Sequence, residues 1–340
     1  LVIFGHGFPL LAEGPVPRVL GSEVSAVAVK IFFSLSGYLI VASWLNDPDP
    51  KRFLVRRLLR IWPALALVVI LSACVLGPLV SNRDLLGYFS DDAFLDYFQN
   101  LGLYVVYSLP GVFEDNAYPV AVNGSLWSLP AEFAMYCLVM ACGIIAAFLP
   151  RFRFETIWGL ATIIVLALSY TQFSLQFDIV GGTVIYGTRI DYTLDVAPCF
   201  MIGGCLYLLR RFVRASAAIG IGALLLGEFC IRYLDAPHPL VAALIAYATI
   251  SIGTASTVIL RSAGRFGDLS YGVYLYGFPV AQTLSHVFGR DLPFTGHLVL
   301  TFLISCVFAA ASFHLVEKPM LRLKPGRRVR SGSAEVPATS

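Results

Sequence analysis

Three sets of polar side chains stand in otherwise apolar sequence and have types suited to acid–base or anion chemistry: His6; Arg56, Arg57 and Arg60; and Glu132. An ionisable group is costly inside a bilayer, so a span that keeps one usually uses it for chemistry, transport or pairing. A carboxylate beside an imidazole orients the ring and raises its basicity, as a general base acting on a hydroxyl requires. The bland alternative is a buried structural pair or a histidine that merely lines a cavity. Counting 1.5 Å per residue along helices entered from one face, His6 lies about 8 Å and Glu132 about 9 Å below it, so the two can meet. Arg57 and Arg60 are one helical turn apart, with Arg56 beside them and Pro63 just inside. Their guanidinium forks suit phosphate bidentately. Plain positive-inside anchoring explains the same residues equally well by chemistry alone.

The elements that must hold these groups follow from composition. Of the 340 residues 58% are hydrophobic and 13% charged, and the mean hydropathy is +0.78. That is far too apolar for a soluble globular domain. Stretches of about 20 apolar residues match a hydrocarbon core of roughly 30 Å and argue for helices rather than a barrel. The expected fold is all-α, a polytopic transmembrane bundle of about ten helices near 1–11, 26–45, 61–80, 126–149, 155–172, 192–209, 215–234, 240–260, 269–288 and 297–316. The first is read as truncated, because the chain opens on Leu1 inside an apolar run. No basic n-region or small-residue cleavage site marks a signal peptide.

Alternate loops carry 18 of the 24 Lys and Arg residues, in groups around residues 51–60, 151–153, 210–214, 261–265 and 318–330. The positive-inside rule puts these loops and the C-terminus in the cytoplasm. The other side keeps Arg18, Lys30, Arg83, Arg189, Arg232 and Arg290. Basic residues spread over short loops form no patch for nucleic acid, so the expected partner is the lipid bilayer. Residues 1–323 read as one membrane domain and 324–340 as a disordered cytoplasmic tail. The seven cysteines show no metal-ligand spacing with histidine, so no metal is expected.

The acidic, aromatic stretch 81–125 is expected on the extracytoplasmic side, its 93–109 portion lying in the interface or dipping into the bundle. Its aromatics could stack on sugar rings, but an interfacial aromatic belt is the favoured reading. His238, His286 and His297 are expected at solvated or headgroup positions. His314 is expected to pair with Glu317 at i,i+3, and Glu228 with Arg232 at i,i+4. Asn123, Ser36 and Tyr38 are candidate oxyanion donors.

Three motifs carry a resemblance: Lys30-Ile31-Phe32-Phe33-Ser34-Leu35-Ser36-Gly37-Tyr38, Arg57-Leu58-Leu59-Arg60-Ile61-Trp62-Pro63 and Ser125-Leu126-Trp127-Ser128-Leu129-Pro130-Ala131-Glu132-Phe133. With Asp268-Leu269-Ser270-Tyr271-Gly272 and Glu317-Lys318-Pro319, this ordered set resembles acyltransferase family 3, membrane O-acyltransferases acting on cell-surface polysaccharides. The resemblance covers essentially the whole chain. It implies a ten-helix enzyme of the cytoplasmic (inner) membrane that transfers an acyl group, usually acetyl, from cytoplasmic acyl-CoA to a glycan hydroxyl. By the same resemblance His6 is the essential first-helix histidine, Arg57 and Arg60 are the Arg-x-x-Arg pair that would hold CoA, and Glu132 is the motif glutamate. Gly277 stands where many members carry a histidine, so no role is implied there. The expected function is therefore an acyl-CoA-dependent O-acyltransferase, with acetyl-CoA as donor and a cell-envelope or lipid-linked glycan as acceptor. Its rival is a proton-coupled transporter or flippase, with His6 and Glu132 as the relay.

Overall fold

An apolar segment in lipid has to satisfy its own backbone, which a helix does within itself. The structure, a computed structural model, describes residues 1–326 apart from 12, 150, 255–268 and 290. Asp268, Arg261, Arg265, Arg290, Arg327, Arg328, Arg330 and all of the expected tail beyond residue 326 therefore lie outside the described residues. Among the described residues each expected apolar stretch is helical. These helices are α1 (Val2–Leu11), α2 (Val24–Asn46), α3 (Pro50–Leu71), α4 (Ser128–Phe148), α5 (Phe154–Ser169), α6 (Ile190–Leu208), α7 (Ala217–Leu234), α8 (His238–Thr254), α9 (Ser270–Phe288) and α10 (Phe294–Ser312). Three continue through a π turn: α3 by Ser72–Leu76 and on to Val80, α5 by Tyr170–Ser174, and α10 by Phe313–Glu317 and on to Leu321. Among the described residues six helices are long and apolar enough to cross a membrane: α2, α3, α4, α5, α7 and α10. The fold is thus an all-α membrane bundle.

Among the described residues the strands form two small antiparallel hairpins, β1 (Arg18–Val19) with β2 (Ser22–Glu23) and β3 (Val184–Ile185) with β4 (Thr188–Arg189). Each turns through two residues of positive φ, Leu20-Gly21 and Tyr186-Gly187, the backbone that two-residue hairpins favour. Gly187 is needed a second time, because a Cβ there would collide with the Val105 carbonyl.

α2 is the packing centre, lying against α6, α1, α8 and α4. Lipid is as apolar as leucine, so close van der Waals approach at small residues holds such helices together. At Gly37 a Cβ would strike the Phe200 carbonyl, and at Gly203 it would strike the Ser34 carbonyl. α3 begins eleven residues earlier than expected, with Asp49 as N-cap accepting from the Arg52 N–H and Pro50 at the first position. The three arginines accordingly sit on a helix rather than in a loop.

The stretch 81–125 folds back into the protein as two short helices, a 3-10 turn and irregular chain. Tyr88, Tyr97 and Phe113 are fully buried, which corrects the interfacial-belt reading for those rings; Phe89, Tyr104 and Tyr118 are exposed. The Tyr88 hydroxyl donates to the Ala73 carbonyl in the π turn of α3 (2.7 Å), and the Trp62 indole N–H to the Leu101 carbonyl (2.9 Å). Polar anchors of this kind let non-helical backbone survive beneath protein cover. Phe113 (φ 56°) and Val120 (φ 70°) are left-handed, a conformation costing about 1–3 kcal/mol each in a residue with a Cβ.

Two expectations for histidines are corrected here. His297 is fully buried between α9 and α10, its Nε2 at 3.0 Å from the Ala281 carbonyl. His238 belongs to a network that ties four helices together. Its Nε2 meets Asp195 (2.8 Å), its Nδ1 meets the Ser169 hydroxyl (2.8 Å), and Asp195 in turn pairs with buried Lys30 at 2.8 Å. Lys30 also donates to the Ser22 hydroxyl, 2.8 Å away. Glu228 and Arg232 pair as expected, at 3.2 Å.

Candidate active site

His6 is on the fifth position of α1, where Gly5 packs on Ser25 of α2 and Gly7 on Leu298 of α10. These contacts leave the imidazole facing a cavity of about 580 Å³ walled by α1, α2, α4, α9 and α10. Its ring meets the Phe278 ring edge-on at 5.3 Å, and no described residue hydrogen-bonds it. Phe278 is held in place by Gly124, where a Cβ would come within 2.6 Å of the ring.

Glu132 is buried in the first turns of α4 and lines the same cavity. Its Oε1 accepts a short hydrogen bond from Tyr136, one helical turn on, and a long one (3.5 Å) from Ser36 of α2. His6 and Glu132 thus share a cavity, but no hydrogen bond or ion pair joins them. Ser36 serves the carboxylate. The other two oxyanion candidates lie elsewhere: Asn123 donates to the Leu275 carbonyl (2.9 Å) and accepts from the Ser125 N–H (3.1 Å), while Tyr38 packs edge-on against Tyr207.

The basic residues of α3 divide by partner. Arg52 and Arg56 share Asp47, at 2.6 Å and 2.7 Å. Held first by the hydrogen bond from Arg52 and then by that from Arg56, the Asp47 carboxyl titrates well below the usual carboxylate range. Arg60 lies 4.0 Å from Glu317 and over the Tyr271 ring at 5.2 Å. Arg57 has no carboxylate partner among the described residues: it reaches only the Ser43 hydroxyl (3.3 Å), packs over Phe53 and Tyr136, and has a buried Nε without a partner. Lys324 faces the same arginines, and its pKa is lowered by burial and then by Arg57, Arg60 and Arg56. Arg57, in this cationic neighbourhood and paired with no carboxylate of the described residues, is suited to an anion brought from outside.

These arginines and the cavity are close neighbours. Tyr271 lines the cavity and carries Arg60 over its ring, and Tyr136 binds Glu132 and carries Arg57 over its ring. Two tyrosines therefore stand between these arginines and the cavity that His6 faces. Of these, Tyr136 was legible in principle as the i+4 neighbour of Glu132; Tyr271 comes from a distant helix and was not. His314 is exposed and does not pair with Glu317. The π turn instead aligns Glu317 with Ser312, whose hydroxyl donates to it at 3.1 Å. In an α-helix residues five apart diverge by roughly 140° around the axis; i→i+5 closure is what a π turn supplies.

A family model described as an acyltransferase domain matches residues 1–313. The chain is 27% identical to the O-acetyl transferase of Shigella phage Sf6, over 94% of this chain and 92% of that protein. It is 24% identical to the exopolysaccharide production protein ExoZ of Rhizobium meliloti (strain 1021), over 92% and 94%. It is 23% identical to the peptidoglycan O-acetyltransferase OatA of Listeria monocytogenes, over 86% of this chain and 51% of that longer protein. No solved structure matches the chain.

Proposed function

Since the chain belongs to acyltransferase family 3, we propose that it is an O-acyltransferase of the cytoplasmic membrane, crossing it ten times, with a cytoplasmic C-terminus. In this reading it moves an acetyl group from cytoplasmic acetyl-CoA to a hydroxyl of a cell-envelope or lipid-linked glycan. The observation that carries it is the shared cavity, with His6 and Glu132 on its wall and Tyr271 linking it to Arg60. Arg57 and Arg60 hold the CoA phosphates, Arg57 with a guanidinium that no carboxylate of the described residues occupies. The pantetheine arm runs past Tyr271 and Tyr136 into the apolar cavity. His6 takes the proton of the sugar hydroxyl as its oxygen attacks the thioester carbonyl. Collapse of the tetrahedral adduct breaks the C–S bond, and the departing CoA thiolate takes that proton back from His6. Glu132, fixed by Tyr136 and Ser36, supplies across the cavity the negative charge that favours the transient imidazolium.

The relatives named for O-acetyl transfer, exopolysaccharide production and peptidoglycan O-acetylation support a glycan acceptor. Purified protein in lipid vesicles, given radiolabelled acetyl-CoA and a glycan extract, is expected to label the glycan and release one CoA thiol per acetyl group. Label that crosses the membrane without becoming ester-linked would replace transfer by transport.

A further inference from the structure

Gln282 of α9 is fully buried and spends its whole amide on one loop. Its Nε2 donates to the carbonyls of Tyr118 (2.8 Å) and Ala121 (2.7 Å), its Oε1 accepts from Asn116 (2.8 Å), and Asn116 also reaches the Gln282 carbonyl at 3.0 Å. The loop it clamps is the strained one between Phe113 and Val120. Non-glycine residues in left-handed backbone persist where the surroundings over-determine them, and they cluster at ligand sites. Pro119 further confines Tyr118 to an extended backbone. What this restraint presents is an aromatic ring: Tyr118 is 44% exposed, and it stands edge-on to Phe278 at 6.0 Å. Phe278 touches His6. The loop is also seated on the end of α1, since Ala121, Leu10, Phe278 and Ala281 form one apolar cluster and the Ser285 hydroxyl donates to the Leu10 carbonyl (2.9 Å). Glu114 and Asp115 of the same loop are exposed, Glu114 accepting from the Asn82 amide at 2.7 Å. Carboxylates accept from hydroxyls, and a flat ring face takes the apolar face of a sugar.

We infer that Tyr118, held by the Gln282 clamp above Phe278, is the platform on which a pyranose ring of the glycan acceptor stacks, one aromatic ring away from His6. The inference rests on the acyl-transfer reading for why a sugar should be there. An ordinary interfacial tyrosine needs neither a buried clamp nor a strained loop.

Binding is measured apart from transfer. Saturation-transfer NMR on the full chain in micelles, without acyl donor, uses short glucose, galactose, N-acetylglucosamine and rhamnose oligosaccharides as probes. Wild-type protein is expected to saturate pyranose ring protons of at least one probe. Tyr118→Phe should retain that binding, and Tyr118→Ala should raise its Kd about tenfold. Gln282→Leu should weaken it as well, and where that variant fails to fold the Tyr118 pair decides. No saturation from any probe, or an unchanged Kd in Tyr118→Ala, overturns the platform. Sugar binding through Tyr118 in a protein that transfers no acetyl group would overturn the transfer reading and leave the platform standing.

Discussion

Lys30, Asp195 and His238 form one polar cluster around a buried lysine and His6, Glu132 and Arg57 another around a buried glutamate, and the two are finished differently. In the first, Lys30 has Asp195 and Ser22 within 2.8 Å, and both ring nitrogens of His238 are engaged. In the second, His6 has no hydrogen bond within the described protein, Arg57 keeps an unpartnered Nε, and Glu132 is held by a tyrosine rather than by either cation. An unsatisfied buried polar group costs about 1–3 kcal/mol. A bundle that completes one cluster and leaves the other open spends that stability where a ligand can return it. On the proposed reading, fully partnered His238 is structural, and His6, which faces the cavity with no hydrogen bond from the described residues, is the base.

The largest test of that contrast is His6→Ala. It is expected to lower acyl transfer about 10²–10⁴-fold, the usual range for a general base, with thermal unfolding and yield unchanged because no protein hydrogen bond is lost. A well-folded variant near the wild-type rate would erase the distinction. Asp195→Ala is expected to do the reverse. It strands the Lys30 charge, and breaking a buried pair costs about 3–5 kcal/mol, so the unfolding midpoint in detergent should drop sharply. The double variant Lys30→Met with Asp195→Leu should recover most of the loss; recovery absent from the double variant would mean the network does more than neutralise charge.

Arg57→Lys sharpens the comparison on the anion side. It keeps the charge that sets topology but loses the fork, so the KM for acyl-CoA should rise about tenfold while insertion is normal. Equal KM values would reduce Arg57 to an anchor. The smallest effect belongs to Glu132→Gln in a His6→Ala background. If Glu132 works through His6, the second change should add no more than about a twofold loss; a larger further drop in rate would assign Glu132 a separate task.

Helix positions were readable because apolar length leaves a lipid-embedded segment little choice. The start of α3 was also written in the sequence, since Asp49-Pro50 is an N-cap followed by a first-turn proline. Convergence was not. Lys30, Ser169, Asp195 and His238 come from four helices, and nothing in their spacing says that those helices meet. The aromatic stretch 81–125 has the composition of an interfacial belt, and the burial of Tyr88, Tyr97 and Phe113 and the hydrogen bonds that join the stretch to α3 through Trp62 and Tyr88 reveal that it is drawn inward. At the candidate site, polar residues set in apolar sequence brought out His6, Arg57, Arg60 and Glu132, whereas the approach of Tyr271 to Arg60 and the Gln282 clamp are products of tertiary packing.

The π turn at Phe313–Glu317 gives the segment one residue of slack in its length. A π turn is in effect an α-helix carrying one residue too many. Removing Leu315, whose side chain is 75% exposed and contributes little packing, would let the backbone relax into α register with the chain on either side still facing as before. Glu317 would then stand four residues after Ser312, on the same helical face. A residue removed from the regular turns nearer the start of α10 would instead rotate one side of the helix against the other by roughly 100°. Tolerance of deletion along α10 should therefore be uneven, and a deletion scan would reveal one tolerant window at the π turn beside the arginine pocket.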